Sequence, residues 1–356
     1  MIDLYKHSVN LIRTNQSPNG AYVASPTFPT YNYCWFRDGA YIAYAMDLIG
    51  HADSARRFYD WAASMVANRA AAIERAIAAA PNGRPAPKDL LDTRYTLDGA
   101  AGTDDWPNFQ LDGFGTLLWG MHAHLSRSQS PLPADWRPAV GLLARYLAAL
   151  WQRPCYDCWE EFGDQVHTAT LGTIYGGLNA AAQLLDERAY AQIATTIKQG
   201  VLIRCVSAGS LVKFAGSTAV DASLIHVATP YRLLAPDDPL MRATVARIET
   251  ELRRDGGGVH RYADDSYYGG GEWILLSAYL GWHYAEVGQF ERARSLLGWI
   301  ERQATAEGWL PEQVAAHLNH PAMLPSWNER WGTSACPLLW SHAAYLTLLS
   351  KLNDGR

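Results

Sequence analysis

No stretch of the sequence approaches the ~18 consecutive apolar residues of a transmembrane helix, which excludes a helical membrane span. Nowhere do more than two Lys or Arg residues stand together, and the net charge is −5. The chain therefore offers no basic patch to a nucleic acid or an anionic membrane. Cysteine is scarce and odd in number: Cys34, Cys155, Cys158, Cys205 and Cys336 are five in 356 residues, too thin a set for a disulfide framework. The start, Met1-Ile2-Asp3-Leu4-Tyr5-Lys6-His7, lacks the basic leader and apolar stretch of a signal peptide, so the cytoplasm is the expected location. Phe is also sparse, with eight residues against fourteen Trp and nineteen Tyr.

That imbalance is the first positive signal. Packing alone is served by Phe, whereas Trp and Tyr join a flat apolar face to a polar edge. A pyranose needs both, because it has apolar C–H faces and a hydroxyl rim; a large core with polar handles uses the same residues. With 49% apolar and 18% charged residues the composition is that of a globular chain with ample core.

Helical periodicity dominates. Apolar residues recur at three- and four-residue spacing over 2–14, 39–49, 53–79, 112–125, 136–152, 171–185, 187–204, 221–229, 238–253, 272–286, 289–305 and 337–351. Asp38 is placed to cap the second of these and Gly50 to end it; Asp186-Glu187 marks a break, and Pro239 suits a helix start. β signals are weak: a hairpin around Ser207-Ala208-Gly209-Ser210 and a short strand over 259–262. Residues 100–110 and 315–337 read as long polar loops, a class often functional. About twelve helices with the distinctive residues in their connections predict an all-α toroid of concentric hairpins, a single domain over 1–356. Segment 171–185, small and uncharged, suits the inner ring; segment 289–305, with Glu291, Arg292, Arg294 and Arg302, suits the outer one.

Hydrolysis of an acetal needs an acid for the leaving oxygen and a base for water. Two carboxylate settings stand out. In Cys158-Trp159-Glu160-Glu161-Phe162-Gly163, apolar neighbours and a like charge both raise a carboxyl pKa, as a general acid requires; a helix N-terminal acid pair reads the same way. In Gly308-Trp309-Leu310-Pro311-Glu312-Gln313, Glu312 has few charged neighbours; a first-turn Glu after Pro is the plain alternative. Three further clusters mix aromatic and polar residues: Tyr33 to Asp38, Trp106 to Gly113, and Arg261-Tyr262 through Tyr267-Tyr268 to Glu272-Trp273. Arg37-Asp38 after four apolar or aromatic residues is either a binding pair or a buried bridge.

Taken in order, these motifs resemble glycoside hydrolase family 15, the glucoamylase and glucodextranase family. Trp35-Phe36-Arg37-Asp38, Trp106 through Gln110, Asp112 and Gly113, Trp159-Glu160-Glu161, Arg261-Tyr262 with the run to Trp273, and Leu310-Pro311-Glu312-Gln313 followed by the helix around Trp340 carry the resemblance, which spans about 20 to 350. It implies an (α/α)6 barrel, an inverting exo-hydrolase that removes glucose from the non-reducing end of a small α-glucoside, and no cofactor or metal. It implies Glu160 as general acid and Glu312 as general base, roughly 6.5–9.5 Å apart to admit a water. Arg37 and Asp38 would bind the terminal glucose, Glu161 and Arg261 the next unit, with Trp106, Trp159 and Trp273 as walls and Trp35, Asp112 and Tyr262 among the binding residues. The chain has no room for the extra modules of many members, which favours small substrates; the compact form is similar to members acting on isomaltose, with α-1,6 and α-1,4 linkages both open.

Other readings compete. Trehalose hydrolysis would use the same carboxylate pair on the same fold. A glycan-binding toroid without catalysis would not need Glu160 and Glu312 together. Cys155-Tyr156-Asp157-Cys158 has the spacing of half a zinc site, but no second cysteine pair exists; His167, His226 and His260 read as core or rim residues, and Asp264-Asp265 is too thin for an Asp-rich metal motif.

Overall fold

The computed structural model describes residues 3–83 and 85–354. Thirteen α-helices lie among them: α1 (Leu4–Thr14), α2 (Phe36–Leu48), α3 (Ala52–Ala67), α4 (Ala70–Ala79), α5 (Asp112–Ser128), α6 (Arg137–Leu150), α7 (Thr168–Leu185), α8 (Arg188–Arg204), α9 (Pro239–Leu252), α10 (Ile274–Glu286), α11 (Phe290–Arg302), α12 (Leu324–Trp331) and α13 (Leu339–Asp354).

Burial sorts them into two layers. In α2 every residue from Phe36 to Asp47 is buried, and in α10 every residue from Ile274 to Tyr284. Such helices must be enclosed on all sides. In α11 only Ala293, Leu296, Trp299 and Ile300 are buried, a stripe at three- and four-residue spacing with charge on the opposite face. The enclosed helices form a closed ring: α2 packs on α5, α5 on α7, α7 on a 3₁₀ helix at Ala222–Val227, that turn on α10, α10 on α13, and α13 back on α2. Around them α1, α3, α6, α8, α9 and α11 form the outer layer. Six inner and six outer members make the expected (α/α)6 barrel, with α4 set against α6 and α12 outside both rings.

The ring is tightest between α5 and α7. A Cβ on Gly177 would lie 2.6 Å from the Gly115 carbonyl oxygen, and one on Gly115 2.4 Å from that of Thr173. Backbones meet there, so only glycine fits. The axis of the ring is plugged by aromatics: Tyr41 stacks on Trp340 (5.5 Å) and touches Tyr279 and His226, and Trp119 meets both Tyr41 and Tyr231. Their polar edges are paired, with the Tyr41 hydroxyl 2.8 Å from Tyr231 and 3.0 Å from His226 Nδ1.

The structure corrects several expectations. Residues 53–79 are two helices, because Arg69 donates to the Met65 and Gly99 carbonyls and lies over the Tyr95 ring, pinning the chain to a distant loop. Of the helix expected over 221–229 only a 3₁₀ helix at Ala222–Val227 forms, capped by Asp221 through the Ser223 amide. Asp38 does not cap α2, which begins two residues earlier; it sits in the first turn. The hairpin expected around Ser207–Ser210 forms, as β3 (Val206–Ser207) with β4 (Ser210–Leu211), whereas among the described residues the strand expected over 259–262 is reduced to isolated bridges from Val259 to Arg253 and Trp273. The other pairs, β1 (Cys34–Trp35) with β2 (Arg94–Tyr95) and β5 (Glu272–Trp273) with β6 (Gln313–Val314), join segments far apart in sequence and lie at the entrances to α2 and α10. Among the described residues no helix is long and apolar enough to cross a membrane.

Candidate active site

The inner helices run in one direction, and their N-terminal ends surround a cavity of about 340 Å³. It lies near the lower end of the range of about 300–1,000 Å³ for small-molecule sites. Of the residues singled out from sequence, Trp35, Arg37, Asp38, Trp106, Trp159, Glu160, Glu161, Arg261, Trp273 and Glu312 all line it. Asp112 and Tyr262 do not; each stands behind a lining residue. Trp340 and Leu338, from the start of α13, complete the floor.

Glu160 stands on a loop, not on a helix, with a left-handed backbone (φ 68°). Strain of this kind, at a non-glycine residue, persists only where surroundings fix it. Asp157 fixes it: its Oδ1 accepts from the amides of Trp159 and Glu161, both at 3.0 Å, and its carbonyl accepts from the Glu160 amide at 2.9 Å. Asp157 is buried and is held in turn by Lys213 at 3.5 Å, which also pairs with Asp221 at 2.7 Å. Asp221 accepts from the Trp159 indole at 3.1 Å, so one buried cation ties down both ends of the turn. Burial would lower the Lys213 pKa, but Asp221 and Asp157 hold it above its ordinary value. At the carboxylate itself, Trp35 Nε1 (2.7 Å) and Gln110 Nε2 (3.2 Å) both donate to Oε1. A proton on Glu160 therefore belongs on Oε2.

Glu312 reaches the cavity from another direction. The β5–β6 pairing sets Gln313 opposite Trp273, and the Glu312 amide donates to the Ala335 carbonyl at 2.8 Å. Its side chain is 3% exposed. Oε1 accepts from the Tyr31 hydroxyl at 3.1 Å, while Oε2 has no protein partner. The Tyr267 hydroxyl lies 3.0 Å from that of Tyr31 and completes the relay. Burial pushes the Glu312 carboxyl up to about 7, against the pull of the Tyr31 hydroxyl and the Arg261 charge. The rings of Tyr31 and Trp35 meet edge to face at 5.6 Å, so the supports of the two carboxylates touch.

Two charged groups flank this pair. Arg37 contacts Asp38 (3.2 Å), Asp112 (3.3 Å) and Gln110 (2.9 Å) and lies over the Trp340 ring. The bridge reading of Arg37-Asp38 is thus realised, with Asp112 as a further partner of Arg37, and both Arg37 and Asp38 also line the cavity. Burial raises the Asp38 carboxyl to about 6, with Arg37 opposing the rise. Across the cavity Arg261 is gripped by Asp265 and reaches Glu161 at 3.3 Å, and the Tyr262 hydroxyl donates to Glu161 at 2.5 Å.

Sequence reasoning missed Tyr31, Lys213 and Asp221, which lie outside every motif, and the outer wall of Trp327, Arg330 and Trp331 on α12. Tyr31 stands four residues before Trp35, in a stretch rich enough in aromatics to have drawn attention. Cys155 is buried and Cys158 lines the cavity without a disulfide. His167, His226 and His260 are occupied by the Phe162 carbonyl, Tyr41 and the Gly270 carbonyl.

Comparison with known proteins returns glycoside hydrolases. The model of the family Glycosyl hydrolases family 15 matches residues 2–350. An isomaltose glucohydrolase of Kribbella flavida is 43% identical over 98% of this chain and 92% of its own. A solved glycosidase superposes with a TM-score of 0.95 at 43% identity, covering 99% of this chain and 96% of that one. A trehalase of Mycolicibacterium smegmatis is more distant, 29% identical over 82% of this chain and 48% of its own length.

Proposed function

Because the chain belongs to glycosyl hydrolases family 15, we propose that it is an inverting exo-glucohydrolase that releases β-glucose from the non-reducing end of small α-glucosides, with the α-1,6 disaccharide isomaltose as its best substrate. One observation carries the reading: two carboxylates line one small cavity, each held through a single oxygen with the other left free. On Glu160, both donors fall on Oε1, which leaves Oε2 to hold a proton for the leaving oxygen. On Glu312, Tyr31 occupies Oε1 and the unpartnered Oε2 is left for a water.

In the reaction, Glu160 gives its proton to the glycosidic oxygen as the bond from C1 to that oxygen breaks. Glu312 takes a proton from the water whose oxygen bonds to C1 on the opposite face, which inverts the anomeric centre. The products are β-glucose and the shortened alcohol; the acid ends ionised and the base protonated, and both return by exchange with solvent. Arg37 and Asp38 hold hydroxyls of the terminal glucose over the Trp340 floor, and Arg261 with Glu161 holds the next unit. Small size supports the choice of substrate, since the cavity is closed below by the aromatic plug. The α-1,6 preference is supported by likeness to the Kribbella enzyme, and the greater distance of the trehalase argues against trehalose.

The test is glucose release from isomaltose, maltose, nigerose, kojibiose and trehalose in parallel, with proton NMR during early turnover. β-Glucose formed fastest from isomaltose is expected; α-glucose as first product would refute inversion. Glu160→Gln and Glu312→Gln should each lower turnover by at least ~10²-fold.

A further inference from the structure

None of the eight residues of α12 is buried, yet Trp327, Arg330 and Trp331 line the cavity. Trp327 and Trp331, four residues apart, share one face of the helix; Pro325, Ser326, Asn328 and Glu329 are exposed. This helix thus turns its aromatic face to a cavity and not to a core. It rests on the turn Tyr267–Gly269, whose Tyr267 ring lies 5.2 Å from the Arg261 guanidinium, which in turn reaches Glu161. Trp327 supplies the attachment, edge-on to Tyr267 at 4.9 Å and stacked on Tyr268 at 5.6 Å.

Trp331 is different. Its side chain is 42% exposed, with the Arg330 guanidinium 5.1 Å from its ring. Arg330 forms no ion pair among the described residues. A large exposed indole beside an unpaired cation, at the mouth of a sugar-sized cavity, has the two chemistries a pyranose needs: a flat apolar surface and a charged donor.

We propose that Trp331 and Arg330 form the platform for the leaving half of the substrate. The C–H face of the second sugar stacks on the indole, and its outer hydroxyls accept from the guanidinium. Trp331 is a specificity-determining residue: it separates substrates with a sugar as leaving group from those with a small one. The proposal rests on the reading of the site as a terminal-glucose hydrolase.

The experiment compares wild type, Trp331→Ala, Trp331→Phe and Arg330→Ala on isomaltose and on α-glucosyl fluoride, whose leaving group is too small to reach α12. For Trp331→Ala, kcat/KM on isomaltose should fall about tenfold, mostly through KM, the size of one lost aromatic contact. On the fluoride it should change by less than about twofold. Trp331→Phe should recover much of the isomaltose loss, and Arg330→Ala should again affect isomaltose alone. Equal losses on both substrates would mean that the helix only props up Tyr267, and no loss on either would remove its role; each overturns the proposal. A wild type that releases glucose from neither would sink the hydrolase reading itself.

Discussion

Burial pushes the Glu312 carboxyl up to about 7, whereas the general-base role proposed for it needs the ionised form. Between about pH 4.5 and 7 the unfolded chain has already lost this proton and the fold still keeps it, so this residue's contribution to stability falls as pH rises through that window. Above it the full penalty is present, roughly 3 kcal/mol for a buried carboxylate at this displacement. Glu312→Gln removes the charge and keeps an acceptor for Tyr31. Its unfolding free energy should therefore exceed that of the wild type at about pH 8 and coincide with it near pH 4, as urea melts at the two pH values would read. The same ionisation sets the acid limb of kcat/KM close to pH 7 on an uncharged substrate. An inactive variant whose stability advantage over its parent grows as pH rises from about 4.5 to 7 is the signature of a site held against its own preference.

The loop from Cys155 to Gln165 owes its shape to partners that no local pattern reveals. The Trp159-Glu160-Glu161 motif was legible as chemistry, but its conformation depends on Lys213, fifty residues on and unremarkable in sequence. With the cation removed, Asp157 and Asp221 keep their hydrogen-bond donors but lose the charge that faces both. Lys213→Met should cost about 3–5 kcal/mol, and adding Asp221→Asn should return part of it, as thermal melts of the two variants would show. Helices were legible where one face carries their burial. The break at Arg69 was not, because the carbonyl that fixes it comes from Gly99. Nor was α12 legible: Pro325 in its first turn reads as loop, and a helix with no core face has no periodic stripe to find.

At the level of the molecule, the ring explains why motifs scattered from Tyr31 to Trp340 meet. All six inner members present their starts at one end, so residues just before each helix converge there. Helix N-termini carry partial positive charge and favour nearby anions by about 0.3–1 kcal/mol each. That suits a mouth lined by Asp38, Glu160, Glu161 and Glu312. The inner and outer assignment of 171–185 and 289–305 was legible from composition alone, whereas closure depends on the glycine seam between α5 and α7. Gly177→Ala should force those helices apart and destabilise by about 1–3 kcal/mol, visible as a lower urea midpoint with activity lost in parallel.

The packed rings of Tyr41, Trp340 and Tyr279 close the well at its base. Whatever is cut at its base can depart only after the other fragment has cleared the entrance. Each catalytic event then ends in full release, so a longer oligomer shortens by one unit per encounter and never slides through, and free glucose competes with every incoming chain for the same deep seat.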